Sequence, residues 1–465
     1  MSLNSMDRQF ETGFVFGITR FRLIRVSATT PAARRAAPPL EWVEVKPAPT
    51  SAESTHAQPA SLRRNFAWTF GGNALYGACQ WAVLSLIAKL GTSEMLGQYA
   101  LAVAVTAPVS MLSQMNLRSV LTTDVERRHG FGDYIVVRLV TTILAVAAIA
   151  LIALLSRYPY ATAASIGLVG LSMGVDNISD IYYGPLQRSE RMEQIARSMI
   201  ARGVLALCAF GAALLVTRNL VTAVATLALA RLAVLLIYDR PRGSQGQILS
   251  RSGRAAQWAI FRTALPLGVA LMLVSLTSNI PRYAVDRFLG TGDLGVFAAV
   301  AAFLTAGSTF VNALGQSAIP TLARCFSTRD LAQFRRLTWR LTVLAVLLGL
   351  AGVLLSALFG GFVLRLAYRA EYAGHAGLLV TIMGAATCVY VAVVLGYIIT
   401  SARSFLVQIP LLTAVTATSA AASWWLVPAM GLRGAALAVA CAACVQIAGE
   451  VLILKGALRR AEIAR

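Results

Sequence analysis

The chain has 465 residues, 57% hydrophobic and only 13% charged, with a formal net charge of +21. A soluble domain of this length needs far more charge to cover its surface, and the apolar residues come in runs long enough to cross a bilayer, so a soluble fold is excluded. The basic residues are scattered through short connections between those runs, which argues against a nucleic-acid partner.

Residues 1–62 form a region of their own, rich in Ala, Pro, Ser, Thr and Arg, and read as a disordered basic tail. No uninterrupted apolar core follows a basic start, so the segment is not a convincing signal peptide. Phe14 to Val26 mixes aromatics with Arg20, Arg22 and Arg25, a composition that also suits an anionic membrane surface.

Twelve hydrophobic spans follow. The first six lie near 65–88, 96–117, 134–156, 161–183, 198–216 and 220–238; the second six lie near 261–284, 294–317, 338–360, 376–400, 405–426 and 432–455. The run from Ile135 to Leu155 contains a single charged residue, Arg138. About twenty such residues, rising 1.5 Å each, cross a hydrocarbon core of roughly 30 Å. Backbone groups in lipid need internal partners, so these runs predict helices. The expected fold is all-α and polytopic, with an N-lobe over 63–240, a linker over 241–260 and a C-lobe over 261–465 that ends in a short basic segment.

Charge is distributed unequally between the two sets of connections. Arg118, Arg127, Arg128, Arg188, Arg191, Arg197, Arg240, Arg242, Arg251, Arg254, Arg324, Arg329, Arg335, Arg336, Arg340 and Arg403 fall on one side. Lys89, Arg157, Arg218, Arg287, Arg365, Arg369 and Arg433 fall on the other. The positive-inside rule makes the richer side cytoplasmic, and both termini lie there.

The two halves repeat. Leu90-Gly91-Thr92 through Leu96-Gly97-Gln98-Tyr99-Ala100 matches Leu289-Gly290-Thr291 through Leu294-Gly295-Val296-Phe297-Ala298. Ser110, Gln114 and Arg118 then align with Ser308, Asn312 and Gln316, and Gly167 and Gly174 with Gly377 and Gly384. Six spans separate the copies, so both enter the membrane in the same direction, as expected for two lobes about a pseudo-two-fold axis with a cavity between them.

Polar side chains inside the spans mark faces turned to protein or water. Thr106, Ser110, Gln114 and Arg118 recur every four residues, and Thr305, Ser308, Asn312 and Gln316 form the corresponding stripe; cavity lining and helix–helix packing both account for them. Asn73, Tyr76 and Gln80 share a face of the first span, and Ser275, Asn279, Arg282 and Asp286 a face of the seventh. Arg282 and Asp286, four apart, have the spacing of an ion pair. Asp176 and Asp180, one turn apart, either bind a coupling ion or pair with Arg202 or Arg231. Arg231 and Glu450 sit at corresponding depths of the sixth and twelfth spans, which makes them candidates for each other.

No metal or cofactor site is expected. Cys441 and Cys444 form a CxxC, but within an Ala-rich span where small residues serve packing. His56, His129 and His375 stand far apart, without zinc spacing.

The Leu90-Gly91-Thr92 to Ala100 pattern resembles the polysaccharide-transporter group of oligosaccharide flippases. So do Asp180-Ile181-Tyr182-Tyr183-Gly184-Pro185-Leu186-Gln187-Arg188-Ser189-Glu190-Arg191-Met192 and Ile195-Ala196-Arg197-Ser198 to Arg202-Gly203. That group belongs to the multidrug/oligosaccharidyl-lipid/polysaccharide flippase superfamily, and the resemblance covers roughly 62–460. It implies two six-helix lobes working by alternating access, with no enzymatic activity. The implied cargo is an undecaprenyl-diphosphate-linked oligosaccharide moved to the outer leaflet of a bacterial inner membrane for polysaccharide biosynthesis. It also implies contact with membrane lipids and other polysaccharide-assembly proteins, and leaves H⁺ or Na⁺ as coupling ion. Guanidinium groups suit a diphosphate that must leave water, so Arg118, Arg202, Arg231 and Arg282 are the phosphate candidates. Asn73, Tyr76, Gln80, Ser110, Gln114, Asn279, Ser308, Asn312 and Gln316 are the further cavity candidates, and Asp176, Asp180 and Glu450 the ion-coupling ones.

Two other readings compete. A multidrug or cation antiporter of the same superfamily needs acidic groups deep in its first lobe, and the first span has none. An integral-membrane glycosyltransferase or polymerase needs a large extramembrane loop with catalytic residues. The longest connection here is about 239–260, and no nucleotide-binding glycine loop is present.

Overall fold

The computed structural model describes residues 62–124, 128–247, 252–401 and 408–463; the tail before Leu62, and Arg127, Arg251 and Arg403, lie outside them. Among the described residues the chain is helical and contains no strand. The first half holds α1 (Leu62–Leu90), α2 (Ser93–Gln114), the short α3 (Leu117–Thr123), α4 (Phe131–Leu155), α5 (Tyr160–Arg188), α6 (Met192–Thr217) and α7 (Leu220–Val234). The chain continues from α7 through a π-helical turn (Leu235–Asp239) into α8 (Arg240–Gly243). The second half holds α9 (Arg254–Phe288), α10 (Thr291–Ser327), α11 (Leu331–Ala367), α12 (Ala376–Ser401), α13 (Gln408–Met430) and α14 (Leu432–Ile463).

Among the described residues eleven helices are long and apolar enough to cross a membrane. The twelfth long helix, α1, falls short because Asn73, Gln80 and several glycines dilute its apolar run. Leu154, Leu155, Val216, Trp425 and Leu452 are each at least 70% exposed. An outer belt of this kind is suited to hydrocarbon and not to water. Several helices outrun the predicted spans: α10 and α11, of 37 residues each, are about 55 Å long at 1.5 Å per residue.

Local chemistry sets the helix ends. Thr92 is extended, and its side chain accepts from the Met95 N–H at 3.1 Å, capping α2. At the other end Met115 and Asn116 take φ of 45° and 49°, a left-handed break, so Arg118 belongs to α3. The four-residue stripe predicted through Gln114 to Arg118 is therefore interrupted. Asn219 caps α7 by accepting from the Val221 and Thr222 N–H groups.

Packing repeats as the sequence does. In the first half α1 lies on α6, α2 and α4 on α5, and α7 on both α5 and α6. In the second half α9 lies on α13, α10 and α11 on α12, and α14 on both α12 and α13. The halves meet chiefly through α2, which packs on α9 and α10. At the α2–α10 crossing a Cβ on Gly97 would stand 1.7 Å from the Thr291 carbonyl oxygen, and one on Gly295 2.0 Å from that of Ser93. The second glycine of the repeated motif is thus required by a reciprocal backbone contact.

Closure differs from end to end. Opposite the arginine-rich end, Arg369 donates to the Lys89 carbonyl at 2.7 and 3.0 Å, and Ser85 to that of Ala367 at 2.5 Å. The α2–α9 seam is sealed from the Tyr283 hydroxyl on the Ala104 carbonyl down to Gly268 against Leu112. By contrast α1 and α10 meet around Trp81 and Phe303, with ring centroids 6.4 Å apart. Toward the arginine-rich end Gly71 and Gly77 of α1 have open space beside them, and Phe310 and Gln316 of α10 are exposed.

Candidate functional site

The interior of the first half holds a continuous ionic network. Asp176 of α5 takes Arg202 Nη1 (α6) at 3.1 Å on Oδ1, and Arg231 Nη1 (α7) at 2.5 Å on Oδ2. The second amino group of Arg231 donates to Gln80 at 2.9 Å, and the Tyr76 hydroxyl donates to Asp176 at 3.4 Å, which ties α1 into the cluster. Arg202 Nη2 reaches both the Tyr183 hydroxyl and Asp239 at 2.7 Å. Ser198 bonds Asp239 and lies 2.7 Å from the Tyr183 hydroxyl. Arg202, Arg231 and Asp239 are all buried.

One turn along α5, Asp180 faces two more cations. Arg118 Nη1 stands 3.2 Å away, and Arg138 Nη2 of α4 stands 3.7 Å away. Arg138 is fully buried and donates to the Ser113 carbonyl at 3.1 Å, whereas the Arg118 side chain is 36% exposed. Four arginines thus face three aspartates, and the surplus positive charge sits at the Arg118 end.

These contacts decide several expectations. Asp176 pairs with both predicted partners, but Asp180 pairs with Arg118 and Arg138 instead, because it lies a turn closer to the break after α2. The proposed Arg231–Glu450 pair does not form: Arg231 is held by Asp176 within its own half, and Glu450 accepts from Gln446 at 3.0 Å. Nor do Arg282 and Asp286 pair. Arg282 donates to Asn279 at 3.0 Å, and Asp286 accepts from Thr291 at 3.1 Å.

The remaining candidates separate into packing and open positions. Ser110 is buried and accepts from Asn177 at 3.0 Å, and Thr106 bonds its own helix at Ala102, so both lie in the α2–α5 packing. Gln114 is half-buried at the last turn of α2, and Asn73 is exposed and bonds the Thr69 carbonyl. In the second half Asn279 is buried, Ser308 is half-buried and Gln316 is exposed. The Tyr397 hydroxyl donates to Asn312 at 3.1 Å and accepts from Gln316 at 3.3 Å. Arg282 is half-buried, and no carboxylate among the described residues lies within ion-pair distance of it.

Sequence reasoning missed Arg138 and Asp239. Arg138 left a signal as the one charge in an apolar run. Asp239 resembled a loop residue beside Arg240; the π-helical turn swings it inward onto Arg202. No cluster of three or more His, Cys, Asp or Glu residues that would hold a metal occurs among the described residues, and all six cysteines are free. A cavity of ≈ 230 Å³ between the start of α12 and the α13–α14 turn, lined by His375 and Arg433 among others, contains none of the candidates.

A family model described as polysaccharide biosynthesis protein matches residues 62–326. The chain belongs to that family. The capsular polysaccharide biosynthesis protein CapF of Staphylococcus aureus is 26% identical over 380 residues, 81% of this chain and 95% of that protein. Among solved structures, the lipid II flippase MurJ in an inward closed conformation aligns with a TM-score of 0.68 at 10% identity, covering 84% of this chain and 89% of that one. An inward-facing multidrug resistance MATE family transporter of the MOP superfamily aligns with a TM-score of 0.62 at 13% identity, covering 87% and 96%. At these identities the two structures establish the fold alone: this family member is built on the two-lobed helical scaffold of MATE transporters and MurJ.

Proposed function

We propose that the protein flips an undecaprenyl-diphosphate-linked oligosaccharide from the cytoplasmic to the outer leaflet of a bacterial inner membrane, by alternating access between lobes at 63–240 and 261–465 joined by the linker at 241–260. The observation that carries this reading is that Arg118 and Arg282 lack a carboxylate of their own among the described residues: Arg118 shares Asp180 with Arg138, and Arg282 has none. The first half has four arginines on three aspartates, and the second has Arg282 with only an amide partner. A diphosphate leaving water needs such donors.

Arg118 and Arg282 are the phosphate contacts in this scheme; Arg202 and Arg231 are structural. Hydroxyls and amides such as Gln114, Ser308 and Gln316 serve the sugars. In this scheme the prenyl chain stays in lipid beside the open stretch of α1 at Gly71 and Gly77 while the headgroup enters. Both termini are then cytoplasmic.

The test is mass spectrometry of lipid extracts from a deletion strain, with sensitivity to cationic drugs scored alongside. Accumulation of polyprenyl-diphosphate oligosaccharide together with loss of surface glycan is the expected result. Unchanged lipid intermediates with new drug sensitivity would replace this reading with an antiporter.

A further inference from the structure

Asp176, Asp180 and Asp239 each lie within ion-pair distance of an arginine. Glu450, near the arginine-rich end of α14, does not. It is 5% exposed, Oε1 accepts the Gln446 amide at 3.0 Å, and Oε2 is buried with no hydrogen-bond partner. The backbone of α12 covers the carboxyl: a Cβ on Gly396 would stand 3.3 Å from Oε1.

Among the described residues nothing packed on α14 supplies a counter-charge. Helix α13 carries no titratable side chain. On α12, Tyr390 donates to the Leu304 carbonyl and Tyr397 to Asn312, both on α10, while Cys388 lies beside Cys444. On α9, Arg282 bonds Asn279, Asp286 bonds Thr291, Tyr283 bonds the Ala104 carbonyl, and Arg254, Arg262 and Arg287 are exposed. On α14 itself Lys455 and Arg459 are exposed beyond Glu450, and Cys441 and Arg433 lie toward the opposite end.

An ionised carboxylate buried without a counter-ion costs several kcal/mol, far more than the neutral acid. A sodium ion would need several converging oxygens, but the amide here turns its N–H to the carboxyl. A proton needs one. We infer that Glu450 is a proton-binding site of the second half: Oε2 holds a proton while α12 and α14 are packed as here and gives it to water when the halves rearrange, so that a proton gradient drives the cycle. The coupling step rests on the transport reading above; the proton site itself does not.

Two measurements test it. Infrared spectra of the purified full chain near neutral pH, wild type against Glu450→Gln, are expected to differ by one protonated-carboxyl C=O band. Identical spectra in that region would overturn the site. The full chain is then reconstituted in phosphatidylethanolamine–phosphatidylglycerol vesicles with a synthetic undecaprenyl-diphosphate disaccharide as probe. An imposed pH gradient is expected to accelerate wild-type flipping several-fold and to leave Glu450→Gln unresponsive. An equal response in the variant would overturn coupling through Glu450. Wild-type vesicles that do not move the probe would count against the proposed cargo, while the infrared difference still decides the proton site.

Discussion

The two halves share a packing plan but treat the charges at corresponding depths of α7 and α14 in opposite ways. In the first, Arg231 of α7 is locked between Asp176 and Gln80, and Arg202 spans Asp176 and Asp239, so α5, α6 and α7 are tied by reciprocal ions and α1 joins them through the Gln80 amide. In the second, Glu450 occupies the corresponding region of α14 with only an amide for company, and Arg282 of α9 likewise. Charges that are already matched stiffen a bundle and offer nothing to a newcomer. Unmatched ones destabilise the resting state and are available to a proton or a phosphate. The duplicated scaffold thus joins a cross-braced half to a responsive one.

The sharpest way to break this contrast is to remove one member of the braced network. Asp176→Ala strands Arg202 and Arg231 in the interior and is expected to cost about 3–5 kcal/mol, read as a large fall in unfolding temperature in detergent. A fall no greater than that of an exposed control substitution would show that the network is not a brace. Gly97→Leu comes next, because its side chain has no room against the Thr291 carbonyl. It is expected to lower export severely and to raise thiol labelling of cysteines placed near Ser85 or Lys89. Unchanged labelling would mean that the crossing does not close that end.

Arg282→Ala probes the other half. It removes one charge-assisted hydrogen bond but also a half-buried cation without a counter-ion, so the protein is expected to insert and melt nearly as wild type while export falls at least tenfold. Wild-type export at equal protein level would remove Arg282 from the site. The smallest effect belongs to Tyr397→Phe, which strips bonds from Asn312 and Gln316. A loss of about 1 kcal/mol in stability is expected, with export reduced less than twofold. A loss as deep as that of Arg282→Ala would move this tyrosine into the transport path.

The spans, the repeat and the glycine motif were legible in the sequence because each follows from composition or from a pattern that recurs. The break between α2 and α3 was not, since Met115 and Asn116 carry no Gly or Pro signal yet adopt left-handed φ. Partner choice was equally hidden. Asp180 and Asp176 differ by one turn on α5, yet they draw their cations from different helices, a matter of tertiary placement that spacing alone does not encode. Arg282 and Asp286 had ideal intrahelical spacing but each found a neutral partner instead.

The meeting of Gly97 with Thr291 and of Gly295 with Ser93 has one more consequence. Each helix offers a carbonyl and a bare Cα, and receives the same in return, so the surface is its own complement. That is the contact geometry of a symmetric dimer, retained here within one polypeptide. A six-helix ancestor bearing the Leu-Gly-Thr…Leu-Gly motif would have carried both sides of the joint before duplication, and fusion of two copies would have conserved an interface without having to invent one.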